Sequence, residues 1–577
     1  MALLTRFLPL RAFVALVLAA LSLASEASLN TQDLLARSPS ARLGKTELVG
    51  SWRQSPDGDQ LEFFGGIPYA QPPLGKLRFQ PSVPHKGFKG SSTFNATHYG
   101  PACLQIKNAP NVSEDCLFLN IIRPKGVKQG QKLPVMVYIH GGGFMEGRTE
   151  HIYDGSGIVS RSIARGTPII FASINYRLGP IGFPQGLEAQ ERGYLNLGLK
   201  DQLLALSWMQ DNVKAFGGDK HKVTIFGQSG GAMSIGNLLL SPSISKLIRG
   251  AILQSGHASS LSIFKPTAPN RQTLHANFIS AVPACAHLAQ TKEAFACLQN
   301  EELVDTATLR TAWEAAAAKA VDPYTWGPNI DGKEGLIEDL PSRLLEKGRF
   351  AEVPVMAGTT LDEGASFTPP GPDYSAPVLR GFMQARFLSL EVPASALNEA
   401  VDGLLELYPD VPALGAPIGT GNETWGFNPS FKWASILNND SMYQAPRRMG
   451  SQAATKAGVR NYAYLFTDPQ VAIRPESPWL GVKHSDEIPY VYGLMHVNAT
   501  AEAKELSKVI RDYWISFVTT LSPNDGKGTT RTKWEAYGTH EEGALIELNS
   551  KNTTMIPDDY RKEQIAFIND RAWVFHQ

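Results

Sequence analysis

The stretch from Thr224 to Ser234, TIFGQSGGAMS, decides the fold because it joins a predicted strand to a predicted helix through one short turn. Val223 to Phe226 carries β-branched residues at its first three positions, and Gly231 to Leu240 continues as a helix. A turn this sharp forces its central residue, Ser229, towards a positive φ, a strain on the order of 1–3 kcal/mol. Gly227 and Gly231 leave room for it. The sequence therefore predicts a serine hydroxyl that stands above a sheet edge, with a helix N-terminus behind it.

Strand and helix patterns alternate on both sides of this turn. The other predicted strands are Leu133–Ile139, Thr167–Ile174, Ala251–Gln254 and Val353–Ala357, and a further helix is predicted over Asn196–Gln210. This alternation predicts an α/β fold with a mostly parallel central sheet and helices on both faces. Later helical patches at Arg310 to Val321 and Ser395 to Leu407 are interpreted as large insertions into the same domain.

The composition is that of a globular protein, with 43% hydrophobic and 19% charged residues. The 577 residues exceed the size at which a single core usually stops growing, so the chain has several domains or one domain with long insertions. Lys plus Arg equals Asp plus Glu, 54 each. This balance gives no electrostatic reason to expect nucleic acid or an anionic membrane as a partner.

The N-terminus has the pattern of a secretory signal peptide. Arg6 and Arg11 precede an apolar run from Ala12 to Leu23, and small residues follow from Ala24 to Ser28. The alternative is a membrane anchor, but a bilayer-spanning helix needs about 20 apolar residues and this run is shorter. We therefore expect a signal peptide over residues 1–27, one domain over 28–577, and a secreted, extracellular product without an integral membrane segment.

Cysteines and glycosylation sequons agree with export. Of the three possible connectivities of four cysteines, the close spacing favours two local disulfide loops, Cys103–Cys116 and Cys285–Cys297. The alternative, four free buried thiols, does not suit an oxidising compartment. Six asparagines open an Asn-x-Ser/Thr sequon, and we expect glycans at some of them: Asn95, Asn111, Asn422, Asn439, Asn498 and Asn552.

The glycine-flanked serine raises the question of nucleophilic chemistry. A serine hydroxyl is a weak nucleophile unless a base takes its proton and an acid holds that base. The chain order expected for this kind of turn is serine, then Asp or Glu, then histidine. An acid at the exit of the strand Val353–Ala357 is either Asp362 or Glu363, and the residues alone leave both open. The base is likewise left open between His484 and His540, which lie in similar loops.

Ester chemistry also needs N–H donors for a negatively charged tetrahedral oxygen. The segment His140 to Phe144, HGGGF, follows a predicted strand, and its glycines let a substrate approach the backbone closely. The N–H of Gly230, directly after the serine, is a second source of donors. The alternative for the triple glycine is a plain flexible loop.

Further motifs stand beside these features and run along most of the chain. They are Gly66–Pro73, Leu77–Phe79, Glu114–Asn120, His140–Phe144, Asn175–Phe183, Asn196–Gln202, Phe216–Asp219, Phe226–Ala232 and Gln254–Gly256. With these motifs in this order, the chain resembles the type-B carboxylesterase/lipase family, the cholinesterase-like α/β-hydrolases.

The resemblance implies an α/β-hydrolase fold and selects among the open alternatives. The family's acid motif matches Asp362-Glu363-Gly364 and selects Glu363, and its histidine loop matches Gly481–Glu487 and selects His484. The implied catalytic set is Ser229, Glu363 and His484, with Gly142, Gly143 and Gly230 as the oxyanion hole and Ser255 near the acid. Both short disulfide loops match the family as well. Many relatives have alanine where this chain has Gly230, which keeps the N–H and removes only a methyl group.

The implied function is carboxylic ester hydrolysis by a secreted serine esterase that needs no metal or organic cofactor and acts on a small-molecule ester. The segment between Cys103 and Cys116 is short. Lipases of the family carry a long lid there and cholinesterases a choline-binding tryptophan, so we expect neither. Two alternatives stay open: a lipase or sterol esterase for long-chain lipid esters, and a non-catalytic cholinesterase-like binding or adhesion module. Four aromatic residues are candidates either for a pocket wall or for the core: Trp425, Phe427, Phe431 and Trp433.

Overall fold

The fold is built on one large sheet, seen in a computed structural model that describes residues 38–88, 92–106, 110–150, 153–322, 326–470 and 473–577. The predicted signal peptide lies outside the described residues. The strands are β1 (Ser40–Leu43), β2 (Thr46–Val49), β3 (Ser51–Gln54), β4 (Gln60–Pro68), β5 (Thr93–Asn95), β6 (Ala102–Cys103), β7 (Val112–Ser113), β8 (Phe118–Pro124), β9 (Leu133–Ile139), β10 (Ile170–Ile174), β11 (Gly218–Gln228), β12 (Gly250–Gln254), β13 (Val355–Thr360), β14 (Asn461–Phe466), β15 (Ala544–Leu548) and β16 (Thr554–Pro557).

The main sheet has eleven strands in the order β16-β15-β14-β13-β12-β11-β9-β10-β8-β4-β3. From β15 to β10 every neighbouring pair is parallel. Antiparallel strands complete both edges, β8, β4 and β3 on one side and β16 on the other. The predicted mostly parallel sheet is confirmed. Because the central strands are parallel, their carboxyl ends lie along one edge, where ligands bind in α/β folds.

Helices cover both faces of this sheet, as predicted. Apart from short 3₁₀ turns and a π-helical turn at Asp440–Gln444, they are Ser156–Ala164, Gly179–Gly182, Gly186–Glu191, Leu197–Asn212, Gly230–Leu239, Pro269–Ser280, Ala294–Leu298, Thr306–Ala317, Pro341–Glu346, Ala376–Phe387, Ala394–Leu407, Ser430–Asn439, Ala445–Lys456, Ile488–Tyr492, Ala501–Thr520 and Lys562–Asp570. Within the described ranges, no helix is both long enough and apolar enough to cross a bilayer.

Alternate residues of the central strands feed two different cores. In β9, Val135 and Val137 pack with residues of the helices Leu197–Asn212 and Gly230–Leu239. Met136 and Tyr138 point to the other face and pack with the helix Ala501–Thr520. This period of two is what a strand buried on both faces requires, and it explains why these strands read as continuous apolar runs.

Several predicted elements have different bounds in the structure; the strand predicted at Val353–Ala357, for example, is Val355–Thr360. Two of these differences have a clear local reason. The strand predicted from Thr167 begins at Ile170, since Pro168 has no N–H to give to a ladder and the Ile169 N–H donates to Ser162 Oγ at 3.1 Å. The helix predicted from Arg310 begins earlier, at Thr306, because the Asp305 side chain caps it by accepting from the Thr308 N–H at 2.7 Å.

Both predicted disulfides are present. Cys103–Cys116 and Cys285–Cys297 have Cα atoms 4.9 Å and 5.8 Å apart, within the range that a disulfide spans. The first bond lies beside a small two-stranded pairing of β6 with β7.

One of the six sequons does not fit the structure as a glycan site. Asn439 ends the helix Ser430–Asn439 with 0% exposure, and its side-chain amide donates to Asp440 Oδ1 at 3.1 Å. Its side-chain oxygen Oδ1 accepts from the Gly364 N–H at 3.4 Å. A sequon pattern carries no information on burial, so sequence alone did not separate this asparagine from the five exposed ones: Asn95, Asn111, Asn422, Asn498 and Asn552.

Candidate active site

Ser229 lies where the sequence predicts it, at the turn between β11 and the helix Gly230–Leu239. Its φ is +56°, the strained region that the sharp turn demands, and its N–H donates to Gln254 O on β12 at 2.9 Å. A Cβ at Gly231 would lie 2.0 Å from Ile139 O, and one at Gly227 would lie 2.6 Å from the Gly231 carbonyl carbon. Both positions therefore exclude any side chain.

The turn borders a cavity of ≈ 430 Å³ at the carboxyl edge of the sheet. Ser229, His484 and the glycines at 142 and 143 all line it. The remaining lining residues are Ile106, Met145, Glu146, Tyr153, Gln228, Phe367 and Ser485. The first four of these residues come from three distant parts of the chain and were expected to act together. They line the same cavity.

Glu363 and His484 make a direct contact. Oε2 of Glu363 lies 2.5 Å from Nδ1 of His484, and Oε1 accepts from the Thr360 N–H at 2.8 Å. The carboxylate is 0% exposed and the imidazole residue 8% exposed. When Nδ1–H donates to this carboxylate, Nε2 is left as the basic nitrogen of the ring.

The basic nitrogen of His484 faces the amide of Gln228. Gln228 Nε2 lies 3.2 Å from His484 Nε2 and also donates to Ser485 Oγ at 2.9 Å. Within the described part of the chain, Ser229 Oγ makes no hydrogen bond to His484. The Nε2 atom of His484 is therefore paired with the Gln228 amide and not with the Ser229 hydroxyl. Sequence reasoning missed Gln228, although it lies within the motif that identified Ser229.

The other two candidates, Asp362 for the acid and His540 for the base, do not contact each other and have different partners. Both carboxylate oxygens of Asp362 accept backbone N–H groups, from Ile418 at 2.8 Å and from Val482 at 2.9 Å, so this residue joins two loops. Burial raises the pKa of Asp362 to about 7, against the lowering effect of those two hydrogen bonds. His540 has a largely exposed side chain and pairs with Glu535 at 3.0 Å. The structure brings Glu363 and His484 together and leaves Asp362 and His540 out.

The glycine loop after β9 has a compact geometry. Gly142 has φ of +105°, and its carbonyl oxygen accepts N–H groups from Met145 at 3.0 Å and Glu146 at 3.1 Å. A Cβ at Gly230 would lie 3.0 Å from Gly143 N, so the backbones of these two glycines are in close approach. Of the three glycines predicted to supply N–H groups, Gly142 and Gly143 therefore line the cavity and Gly230 lies directly after Ser229, close to Gly143.

Ser255 directly follows β12, which neighbours β13 in the sheet. It is fully buried with φ of +53°, and its N–H donates to Gly358 O at 2.8 Å. Its hydroxyl has no hydrogen-bond partner among the described residues. The contact between this residue and β13 is thus made by the backbone.

The four aromatic candidates do not line the cavity beside Ser229. Phe431 and Trp433 are buried on the helix Ser430–Asn439. Of the two alternatives, pocket wall or core, these two residues fit the core. The aromatic rings that do approach His484 are Phe367, at 5.0 Å between ring centroids, and Tyr443, at 5.1 Å. No period or motif marks these two, because the loop and helix that carry them meet only in the folded chain.

A second buried acid lies close to the pair. Burial, and then the charge of Glu363, raise the pKa of Glu487 to about 8. Its Oε1 accepts from Gln254 Nε2 at 3.2 Å, whereas Oε2 has no partner among the described residues.

The fold and the site define an α/β-hydrolase, and comparison with known proteins gives the family. The model of the carboxylesterase family matches residues 37–568. The chain belongs to this family and is a carboxylic ester hydrolase.

Relatives and solved structures agree over nearly the whole chain. The chain is 31% identical to lipase 2 of Geotrichum candidum over 94% of its own length and 98% of that protein's. It is 31% identical to secreted lipase 1 of Botryotinia fuckeliana, over 89% and 90% of the two lengths. The solved structure of a PNB esterase superposes with a TM-score of 0.73 and 27% identity, over 92% of this chain and all of that one.

Proposed function

We propose that the protein is a secreted serine esterase that cleaves carboxylic esters through an acyl-enzyme on Ser229. His484 is the general base, Glu363 orients and stabilises it, and the N–H groups of Gly142, Gly143 and Gly230 bind the oxyanion. The observation that carries this proposal is the 2.5 Å contact of Glu363 with His484 at the cavity that Ser229 also lines.

The reaction follows from these positions. Ser229 Oγ attacks the ester carbonyl carbon while its proton passes to His484 Nε2, and the negative charge on the tetrahedral oxygen is met by the backbone N–H groups. Collapse expels the alcohol, which takes the proton from His484. Water then attacks the acyl-enzyme by the same steps, so that the acid is released and Ser229 regains its proton.

Secretion and domain organisation belong to the same proposal. The signal-peptide pattern at residues 1–27, the two disulfides and a relative named as a secreted lipase support an extracellular protein. A single sheet that runs from β3 to β16 supports one catalytic domain over residues 28–577. Ser255 contributes to this site by holding β12 against β13 beside the acid.

The test is covalent labelling combined with kinetics. A fluorophosphonate probe should label the parent protein at Ser229, and Ser229→Ala should lose both the label and the hydrolysis of p-nitrophenyl butyrate. Glu363→Gln and His484→Ala should reduce kcat by several orders of magnitude while the proteins stay folded. A parent protein that neither takes the label nor cleaves esters would instead be a non-catalytic binding or adhesion module.

A second candidate function, hydrolysis of long-chain lipid esters, is favoured by a neighbouring cavity. Phe367 lines the site cavity and also a second one of ≈ 220 Å³, whose lining includes Leu379, Phe382 and Met383. An acyl chain that displaced the Phe367 ring would gain this apolar space. The short Cys103–Cys116 loop argues against a long lid. Rates on p-nitrophenyl butyrate and on emulsified triolein decide between the two, since a lipase should gain activity once droplets form.

A further inference from the structure

We propose that Gln105 is a positioning residue of the oxyanion hole and that it couples the Cys103–Cys116 disulfide loop to catalysis. This inference rests on the proposed function of Ser229 and its neighbouring glycines. It assigns a role in the reaction to a buried side chain and to a disulfide that neither touch the substrate nor belong to the triad.

Both polar atoms of the Gln105 side-chain amide form hydrogen bonds to Gly147, at the end of the glycine loop. Its Oε1 accepts the Gly147 N–H at 3.1 Å, and its Nε2 donates to Gly147 O at 3.2 Å and to Cys103 O at 3.0 Å. The residue is only 3% exposed. A side-chain amide that pairs with both polar groups of one residue determines the position of that residue more strictly than a single hydrogen bond does.

Gly147 in turn packs against the start of the loop that holds the oxyanion donors. Its φ is +133°, and a Cβ there would lie 2.1 Å from His140 Nδ1 and 2.5 Å from Gly141 O. Between these ends, Gly142 O accepts from the N–H groups of Met145 and Glu146. The loop from 140 to 147 is therefore closed on itself, and moving Gly147 moves the peptide planes that carry the Gly142 and Gly143 N–H groups.

The disulfide holds the other end of this connection. Gln105 lies two residues after Cys103, in the loop that the bond to Cys116 closes, and Cys103 O is itself a partner of the Gln105 amide. Ile106, the next residue, lines the cavity beside Ser229. The path from the disulfide to the oxyanion glycines thus consists of one side chain and its three hydrogen bonds.

The test uses Gln105→Met, which has similar volume but makes none of these hydrogen bonds. We expect kcat on p-nitrophenyl butyrate to fall roughly 10- to 100-fold, the size of effect that a misplaced reacting group produces, with a much smaller change in KM. Affinity for a trifluoromethyl ketone, whose adduct with Ser229 places an oxyanion in the hole, should fall by a similar factor. If the substitution only lowered stability, the variant would keep the parent kcat and the parent affinity for the ketone at a temperature where it is folded.

Matched controls separate position from general destabilisation. Gln210→Met removes a glutamine that donates to two backbone carbonyls, Lys220 O and Leu247 O, away from the cavity, and should leave kcat near the parent value. Replacing Cys103 and Cys116 together by serine should lower kcat and inhibitor affinity as Gln105→Met does. The same double change at Cys285 and Cys297 should lower only the Tm.

The outcomes are distinct from those that test the triad. Parent kcat and inhibitor affinity in a folded Gln105→Met protein would overturn the proposal, even with Ser229→Ala inactive. If Gln105→Met does not fold, the two cysteine double variants decide: equal kcat in both would overturn the coupling, and loss confined to the Cys103 and Cys116 variant would support it. An inactive parent would refute the proposed function instead.

Discussion

The side-chain amide of Gln228 and the imidazole of His484 are in direct contact, with 3.2 Å between their Nε2 atoms. The residue directly before Ser229 thus faces the nitrogen that, in the proposed mechanism, accepts the Ser229 proton. Because Gln228 also donates to Ser485 Oγ, it holds the histidine loop against the end of β11. A neutral amide at this position adds no charge beside the imidazole.

Replacing Gln228 by glutamate should change the pH dependence of the reaction. A carboxylate next to His484 favours the protonated imidazole, which cannot act as a base, so the acid limb of kcat/KM should move upward by about 1 pH unit or more. Gln228→Met, which adds no charge, is the control and should not move the limb upward. A pH profile on p-nitrophenyl butyrate checks both variants, and an unmoved limb in Gln228→Glu would contradict the contact.

The buried carboxyl of Glu487 should make stability depend on pH. Burial raises its pKa to about 8 in the folded chain, from 4.5 in an exposed one, so between these values the folded state holds a proton that the unfolded state has lost. This contribution to stability is complete below the lower value and is lost as pH rises towards the upper one. In Glu487→Gln the free energy of unfolding should decrease less steeply with pH over this range, by up to about 1.4 kcal/mol per pH unit.

Urea unfolding of the parent and Glu487→Gln at several pH values across this window measures the difference. The control is Glu505→Gln, an exposed glutamate that pairs with Lys508 on the helix Ala501–Thr520. Parallel stability curves for the parent and Glu487→Gln would show that the buried carboxyl is ionised in the folded protein as well.

Two adjacent glycines after the nucleophile should respond differently to alanine. A Cβ at Gly231 would lie 2.0 Å from Ile139 O and 2.8 Å from His140 O, and neither backbone oxygen can move without displacing the end of β9. Overpacking of this kind costs about 1–3 kcal/mol or more. At Gly230 the nearest atom, Gly143 N, would be 3.0 Å away, a contact that a small shift relieves. Thermal unfolding should show a lower Tm for Gly231→Ala than for Gly230→Ala, and the reverse order would contradict this packing.

Glycan occupancy should follow exposure at the sequons. Asn439 makes its contacts with Asp440 and Gly364 inside the fold, which leaves no room for a sugar. In secreted protein, enzymatic deglycosylation in heavy-oxygen water followed by peptide mass spectrometry should mark only sites among the five exposed asparagines. A mark at Asn439 in active, folded protein would contradict the position of its helix end.

The position of Ser229 and much of the fold could be predicted from local patterns. The residues around Ser229 specify a strand, a strained turn and a helix, and the alternation of such units specifies a parallel sheet with its carboxyl ends on one edge. The cysteine spacing indicated both disulfides for a similar local reason, since short loops bring their ends together readily. Boundaries were less certain, as at Ile170 and Thr306, because one proline or one capping side chain shifts them.

The rest of the site could not be derived from neighbouring residues. Asp362 and Glu363 are adjacent and chemically alike, and only the packing decides that one carboxylate joins two loops while the other holds His484. His484 and His540 lie in similar loops, yet one is buried and the other exposed. Family resemblance selected Glu363 and His484, whereas local reasoning left both pairs open.

By itself, the sequence determined the kind of turn at Ser229 and the sheet edge on which it lies, because backbone sterics act between neighbouring residues. Only the tertiary structure decided four other placements: Gln228 against His484, Gln105 against Gly147, Phe367 between two cavities, and Asn439 inside the core. The residues that meet in this way are far apart in the chain. Their distances and burial arise only when the sheet and its insertions pack together.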